Sequence, residues 1–268
     1  MKPETIEALA AAYDEAERSR VQVRQPTLDH PGMTIEDGYT VQKAWVAMKA
    51  ARGDRIIGRK IGLTSRAMQQ ASQIDEPDFG ALMESMIVED GSAIPADRFI
   101  RPRFEVELGF WLKDRIAGAD VTLRDVAAAI DWVVPAIEII DARCHQNDPE
   151  TGRPRKVMDT ISDNAANAGV IWGGQPKRLD AVDLAWVPGV LSLNGVVEET
   201  GVAAGVLGHP LKGLVWLARR LAAHGTALEP GQFVLSGSFT RPVTGKPGDV
   251  IACDFGPLGP LTCSIAKG

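Results

Sequence analysis

The hydrophobic positions of the chain change their spacing near residue 55. Before this point, apolar side chains recur every three or four residues, first over residues 6–16 and then from the capping pattern Thr34-Ile35-Glu36-Asp37 to Gly53. After it, short runs rich in β-branched and aromatic residues alternate with glycine and proline. The pattern predicts a helical N-terminal segment (residues 1–55) and a β-rich body (residues 56–268) in one unit of the α+β class.

The β-rich body is predicted to contain a series of strands and two further helices. The strands cover residues 56–62, 86–88, 103–112, 132–140, 170–172, 187–193, 196–199, 233–236, 250–255 and 261–265. The helices cover residues 123–130, after a cap at Thr122, and residues 210–224, which end before Gly225. Asn194-Gly195 is a strong hairpin signal because both residues accept a positive φ.

Carboxylates interrupt two of the predicted strands. Glu105 and Glu107 lie two residues apart in the strand 103–112, so both side chains point to the same face. A solvent-exposed strand face would explain this pair. It does not explain Glu138 in the strand 132–140, because the neighbours of Glu138 on both sides are aliphatic. Three carboxylates on two buried strands suit Mg²⁺ or Mn²⁺, with water or substrate oxygens as the remaining ligands.

The composition argues against several classes of function. A formal net charge of -6 with scattered basic residues is typical of proteins that act on small molecules and argues against nucleic-acid binding. The acidic N-terminus does not resemble a signal peptide, and no segment is long and apolar enough to span a membrane, so a cytoplasmic location is expected. Cys144, Cys253 and Cys263 lack the spacing of a zinc site and are predicted to be buried, reduced thiols.

Several polar residues lie where core residues would be expected. Lys60 occupies an aliphatic strand and is predicted either to extend to solvent or to pair with a buried acid. The polar run that starts at Ser162 and includes Asn164 either caps the backbone or contacts a substrate. Ser238 and Thr240 follow a strand and offer hydroxyls to an oxygen-rich ligand. The nucleotide-binding patterns GxGxxG and GxxxxGK(S/T) do not occur in the sequence.

Two motifs and the three acids resemble those of a known enzyme family. The motif Lys-Ile-Gly-Leu-Thr-Ser at residues 60–65, the three glutamates and the long stretch 148–169 resemble the hydratases of aromatic meta-cleavage pathways, which belong to the fumarylacetoacetate hydrolase superfamily. The similarity covers nearly the whole chain. The first motif is shared with 2-hydroxypenta-2,4-dienoate hydratases and 4-oxalocrotonate decarboxylases, whereas the long stretch is more specific.

This resemblance implies a mixed β-roll with N-terminal helices packed against it, in a homo-oligomeric catalytic unit that uses Mg²⁺ or Mn²⁺. Carried over by position, Glu105, Glu107 and Glu138 match the metal ligands of the family and Lys60 its catalytic lysine. Asp78 matches an acidic residue on a loop near the substrate and is the candidate base that activates water. The expected substrate contacts are Leu63, Ser162, Asn164, Ser238, Thr240, Arg153 and Arg155.

The implied reaction adds water to a 2-oxo-heptene-1,7-dioate, of the kind formed in homoprotocatechuate degradation, and yields 4-hydroxy-2-oxoheptanedioate. A seven-carbon dioate needs a cation for its second carboxylate, and Arg153 or Arg155 is predicted to supply it, with Arg143 and Arg241 as the next candidates. Other functions stay open: hydration of 2-hydroxypenta-2,4-dienoate, decarboxylation of 4-oxalocrotonate, or a catalytically silent role as an assembly partner.

Overall fold

The N-terminal segment is helical, as the sequence predicts, and its longest helices begin at recognisable signals. In the computed structural model, which describes residues 1–71 and 74–268, helix α1 (Pro3–Ser19) starts with a proline in its first turn. Helix α3 (Ile35–Ala51) starts at the predicted capping box: the Thr34 hydroxyl accepts a hydrogen bond from the Asp37 backbone N–H at 3.1 Å, and the Asp37 carboxylate accepts one from the Thr34 N–H at 2.9 Å. The other helices are α2 (Pro26–Asp29), α4 (Arg66–Ala71), α5 (Leu123–Ala129), α6 (Val157–Ser162) and α7 (Leu211–Ala223).

The β-rich body consists of two sheets. The strands are β1 (Ile56–Gly62), β2 (Asp78–Met83), β3 (Ala93–Ile94), β4 (Arg103–Leu112), β5 (Ile130–Ile140), β6 (Asn167–Trp172), β7 (Pro188–Leu193), β8 (Val196–Val202), β9 (Phe233–Leu235), β10 (Val243–Thr244), β11 (Val250–Asp254) and β12 (Pro260–Ile265). The first sheet has the order β2-β1-β9-β4-β5-β6, and β10 pairs with β4. The second has the order β3-β12-β11-β7-β8. Both sheets are mixed, because β1 runs parallel to β9 and β12 parallel to β3, so the predicted mixed β-roll is confirmed.

The N-terminal helices pack on the first sheet through apolar and polar contacts. Tyr39 of α3 stacks on Phe79 of β2, with ring centroids 4.4 Å apart. The buried Gln42 amide donates hydrogen bonds of 2.9 Å to the carbonyls of Phe79 and Ile161. Trp45 and Tyr13, both fully buried, fill the space between α3 and α1. Burial of each such large side chain contributes about 1.5–3 kcal/mol, so the helices are held firmly to the sheet.

The predicted hairpin at Asn194-Gly195 is confirmed. The two residues have φ values of 53° and 80° and connect β7 to β8. Cys144, Cys253 and Cys263 are buried, as predicted. Within residues 1–71 and 74–268, we find no helix with the length and hydrophobicity needed to cross a bilayer.

Three predicted elements were wrong or incomplete. Residues 86–88 are not a strand: Glu84–Met86 form a 3₁₀ turn, and only Ile87 bridges to Val170. Asp78 does not lie on a loop, because it is the first residue of β2, whose six residues are all buried. Strand β2 was not predicted, since Gly80 and Ala81 dilute its apolar pattern. The polar run from Ser162, whose pattern is typical of a helix start or a turn, begins at the last residue of α6 and continues as a 3₁₀ turn at Asn164–Ala166, so the turn is the alternative that occurs.

Candidate active site

The three predicted glutamates converge on one point of the first sheet. Glu105 and Glu107 share a face of β4, and the antiparallel register places Glu105 directly opposite Glu138 of β5. One carboxylate oxygen from each residue lies within 4.8 Å of the other two. Glu107 and Glu138 are each 1% exposed, whereas Glu105 is half-buried. The structure therefore brings together the acids that sequence reasoning selected.

Such a cluster is electrostatically unfavourable without a cation. Burial, followed by the charge of Glu138, raises the pKa of Glu105 to about 7. Burial and the charges of Glu138 and Glu105 raise the pKa of Glu107 well above its usual range. Glu107 Oε1 and Glu138 Oε2 are buried and have no hydrogen-bond partner among the described residues. A divalent cation would satisfy both the charge and the free oxygens, so the site fits Mg²⁺ or Mn²⁺.

Lys60 completes the cluster from a distant strand. Its Nζ lies 3.3 Å from Glu138 Oε1, and the residue is 4% exposed, so the predicted pairing with a buried acid occurs. Burial alone would lower the pKa of Lys60, but the charges of Glu138 and Asp78, and of the other two glutamates, outweigh burial and raise it to about 12. The surrounding carboxylates thus stabilise the ammonium form of Lys60.

Curvature of the sheet makes this contact possible. Two strands, β9 and β4, lie between β1 with Lys60 and β5 with Glu138. Neighbouring strands are about 4.8 Å apart, so three steps across a flat sheet would separate the backbones by about 14 Å. A separation of 3.3 Å between the charged atoms requires both a curled sheet and the full length of the lysine side chain.

Asp78 lies beside Lys60 because Gly62 leaves room for it. Gly62 of β1 pairs with Asp78 of β2, and a Cβ atom on Gly62 would lie 2.2 Å from Asp78 Oδ1 and 3.1 Å from Lys60 Nζ. Asp78 is 1% exposed, and its Oδ1 has no hydrogen-bond partner among the described residues. Burial raises the pKa of Asp78, and the charge of Lys60 opposes this shift. A carboxylate poised in this way can exchange a proton with a bound water or substrate.

Two residues that the sequence analysis missed orient the glutamates. The buried Asn167 amide donates a hydrogen bond of 2.6 Å to Glu138 Oε1, and the Gly237 N–H donates one of 2.8 Å to Glu107 Oε2. Gly237 has a φ of 109°, and a Cβ atom there would lie 2.4 Å from Thr64 Oγ1, so only glycine fits. Gly237 precedes Ser238, and Asn167 is three residues after Asn164; closeness to these two expected substrate contacts was the available signal.

The cluster opens into a cavity of about 690 Å³. Of the predicted substrate contacts, the residues that line the cavity are Leu63, Ser238, Thr240 and Arg155. The Ser238 hydroxyl already donates to the Thr240 carbonyl at 2.9 Å. A cavity of this size accommodates a small organic acid and water.

Three other predicted contacts lie away from the cavity wall. The Ser162 hydroxyl is buried and donates to the Met158 carbonyl within α6 at 2.9 Å. The Asn164 side chain clamps β2: its Oδ1 accepts from the Ala81 N–H at 2.7 Å, and its Nδ2 donates to the Ala81 carbonyl at 2.9 Å. Arg153 is exposed and does not line the cavity. Asn164 thus supports the backbone, the alternative function considered for this polar run.

Asn164 belongs to a strained turn that forms part of the cavity wall. Asn164, Ala165 and Ala166 have φ values of 51°, 51° and 58°, in the left-handed region that costs a non-glycine residue about 1–2 kcal/mol. Ala165 and Ala166 line the cavity, and the next residue is Asn167, which contacts Glu138. The hydrogen bonds of Asn164 to Ala81 and the buried contacts around them hold this turn in place. Backbone strain that is maintained in this way is common near functional sites.

Comparison with known proteins is consistent with this geometry. The family model described as the fumarylacetoacetate (FAA) hydrolase C-terminal domain matches residues 47–266. The chain belongs to the fumarylacetoacetate hydrolase family. The family resemblance inferred from the sequence is thereby confirmed.

Two curated members of the fumarylacetoacetate hydrolase family illustrate the range of similarity. The chain is 56% identical to a 2-oxo-hept-4-ene-1,7-dioate hydratase of Escherichia coli over 255 residues, which cover 95% of this chain and 96% of the relative. It is 34% identical to a 4-oxalocrotonate decarboxylase of Pseudomonas putida, over 97% of this chain and 96% of the relative. Relatives that match nearly the whole chain thus include a hydratase and a decarboxylase.

A solved structure of the family superimposes on nearly the whole chain. It is the 4-oxalocrotonate decarboxylase from Pseudomonas putida G7 in complex with magnesium and adipate, with a TM-score of 0.94 and 34% identity, covering 99% of this chain and 98% of that one. A second structure of that enzyme holds calcium and acetate. Divalent cations are thus bound by a relative with the same fold.

Proposed function

We propose that this member of the fumarylacetoacetate hydrolase family is a hydro-lyase that adds water to 2-oxo-hept-3- or 4-ene-1,7-dioate and yields 4-hydroxy-2-oxoheptanedioate. This reaction would serve the meta-cleavage catabolism of aromatic acids such as homoprotocatechuate. The observation that carries the proposal is the convergence of Glu105, Glu107 and Glu138 beside a cavity that Lys60 and Asp78 line, with Lys60 paired to Glu138. The 56% identity to a hydratase that is named for this dioate supports the choice of substrate.

The three glutamates would hold Mg²⁺ or Mn²⁺, and the bound ion would bind the 2-oxo acid and stabilise negative charge that develops on its oxygen. Asn167 and Gly237 keep two of the carboxylates in place through hydrogen bonds, so little reorganisation is needed during the reaction. The half-buried Glu105 faces the cavity, where the substrate enters.

Lys60 and Asp78 would move the protons. The 2-hydroxy-2,4-diene first gains a proton at carbon 5 and loses the one on its 2-hydroxyl, which brings the remaining double bond into conjugation with the ketone. Water then adds at carbon 4: Asp78 accepts a proton from the water, and the Lys60 ammonium delivers one to carbon 3. Both side chains lie near Gly62, which supports a donor and an acceptor on the same side of the cavity.

The decisive experiment is a turnover assay with 2-hydroxyhepta-2,4-diene-1,7-dioate. We expect loss of dienol absorbance, formation of the 4-hydroxy product, and no release of CO₂, with activity abolished by EDTA and restored by Mg²⁺ or Mn²⁺. Full activity after exhaustive EDTA treatment would refute the metal dependence.

Decarboxylation is the second candidate function, because the chain superimposes with a TM-score of 0.94 on a 4-oxalocrotonate decarboxylase. Release of CO₂ from 4-oxalocrotonate, measured in the same assay format, would favour it. A protein with neither activity, but which forms a stable complex with an active relative, would instead be an assembly partner. The homo-oligomeric state and the cytoplasmic location are also part of the proposal, and light scattering and cell fractionation test them.

A further inference from the structure

Besides Lys60, four basic side chains line the cavity, and they differ in their partners. The Arg241 guanidinium forms an ion pair with Glu199 at 2.7 Å. Lys156 is exposed to solvent. Arg103 and Arg155 are half-buried, and in the part of the chain that the structure describes neither of them forms an ion pair. Among the described residues, these two arginines are therefore the half-buried cavity cations that remain available to a ligand.

Both arginines lose part of their hydration, because they are half-buried in the wall of the same cavity. Arg155 Nη1 is buried and has no hydrogen-bond partner among the described residues. Two partly desolvated guanidinium groups that form no ion pair among the described residues are suited to bind an anion at the cavity wall.

Their position relative to the carboxylate cluster suits the far end of an extended substrate. Arg103 shares its strand face with Glu105 and Glu107, one side-chain row beyond Glu105, which is about 7 Å along β4. Ile140, which pairs with Arg103 across β5, also lines the cavity and gives this region an apolar side. Arg155 lies near enough to Asp78 to lower the pKa of that carboxyl.

The geometry points to Arg103 and Arg155 as the site that binds the second carboxylate of the dioate and makes the enzyme select dioates over monocarboxylates. This inference rests on the proposed function. One end of the substrate lies at the glutamate cluster, the carbon chain runs along the face of β4, and the far carboxylate accepts hydrogen bonds from the two guanidinium groups. Guanidinium groups suit this task because their fixed N–H geometry matches a carboxylate.

The other arginines near the site are excluded by their surroundings. Arg153, predicted from the sequence to hold this carboxylate, is exposed and outside the cavity. Arg143 is 1% exposed, and its Nε and Nη2 donate hydrogen bonds to the Asp163 carboxylate and carbonyl at 2.6 and 2.7 Å. Arg103 lay outside the sequence prediction because it precedes the acids on the strand and resembles a solvated strand end.

The test compares substrates that differ in one carboxylate. Arg103→Gln and Arg155→Gln should each lower kcat/KM for 2-hydroxyhepta-2,4-diene-1,7-dioate at least about tenfold, or about 1.4 kcal/mol, and leave kcat/KM for 2-hydroxypenta-2,4-dienoate within about twofold. Arg155→Lys keeps the positive charge but not the planar N–H geometry of arginine. Its kcat/KM for the dioate should therefore fall by less than that of Arg155→Gln. Arg153→Gln removes the same charge two residues away, outside the cavity, and should change neither value.

A binding measurement separates this inference from the proposed function. With Mg²⁺ present, calorimetry should show that Arg103→Gln and Arg155→Gln weaken binding of adipate about tenfold but leave that of hexanoate unchanged, whether or not the protein turns over the diene. Equal losses for both ligands, or no loss for either, would overturn the inference. Absence of turnover, together with arginine-dependent adipate binding, would reject only the proposed reaction. The melting temperature of each variant, compared with that of the wild type, identifies a variant that fails to fold. Arg155→Lys, which keeps the positive charge, then tests the role of Arg155 in a second variant.

Discussion

Replacement of Lys60 by methionine should separate catalysis from metal binding. The substitution approximately keeps the length of the side chain and removes its positive charge. At the observed 3.3 Å between Lys60 Nζ and Glu138 Oε1, a unit charge pair contributes about 5 kcal/mol at an effective dielectric constant of about 20. In the wild type, this ammonium attracts the same carboxylate that would bind a divalent cation, so it competes with the cation.

Two opposite effects follow from the loss of this charge. The glutamate cluster becomes more negative, so Lys60→Met should bind Mg²⁺ or Mn²⁺ at least as tightly as the wild type. The proton donor is lost, so kcat should fall by roughly 10²-fold or more, the usual scale for general acid–base groups. Without metal, the unpaired buried acids should lower the free energy of unfolding by about 3–5 kcal/mol, and added metal should restore much of this loss.

The assays are calorimetric titration with Mn²⁺, steady-state kinetics at saturating metal, and urea denaturation with and without metal. Lys49→Met is the matched control, because Lys49 is also buried and paired with an acid, Glu17, but lies between α3 and α1 away from the cavity. It should cost stability and leave kcat unchanged. If Lys60→Met weakened metal binding, or raised KM at an unchanged kcat, our reasoning about Lys60 would be refuted.

Three further predictions test the rest of the site. Replacement of any one of the three glutamates by glutamine should weaken Mn²⁺ binding at least about 100-fold in calorimetry, because the charge that would hold the cation is reduced; unchanged binding would refute the cluster as the metal site. Gly62→Ala should lower kcat by about 10- to 100-fold, since its Cβ would lie 2.2 Å from Asp78 Oδ1, whereas Gly32→Ala, with nothing within 4 Å of its Cβ, should not. Asn164→Ala should lower the free energy of unfolding by about 2–4 kcal/mol in urea denaturation, because both backbone groups of Ala81 lose buried partners; a raised KM at unchanged stability would instead indicate substrate contact.

Local physical rules made much of the fold predictable. The Thr34 capping box and the Asn194-Gly195 turn depend only on neighbouring residues, and both occur as expected. The alternation of side chains along a strand is enough to place Glu105 and Glu107 on one face of β4. The family resemblance of residues 60–65 and 148–169 identified the same acids together with Lys60.

The long-range arrangement of the strands decided the rest. The register of β4 against β5 brings Glu138 opposite Glu105, and the curled sheet brings Lys60 from β1 to within 3.3 Å of Glu138. Neither follows from periodicity, because the spacing of apolar residues specifies which face of a strand is buried but not which strand lies beside it.

Burial in the folded protein also distinguishes between polar residues that look equivalent in the sequence. Asn164 and Arg153 both looked suited to contact a substrate, yet one clamps the backbone of β2 and the other lies in solvent. Arg103 was not selected, yet it shares the cavity with Arg155. The chemistry of a side chain can thus be read from the sequence. Its partner, by contrast, depends on packing between segments that are far apart in the chain. Because an unpaired buried polar group is costly, one arrangement of partners is selected.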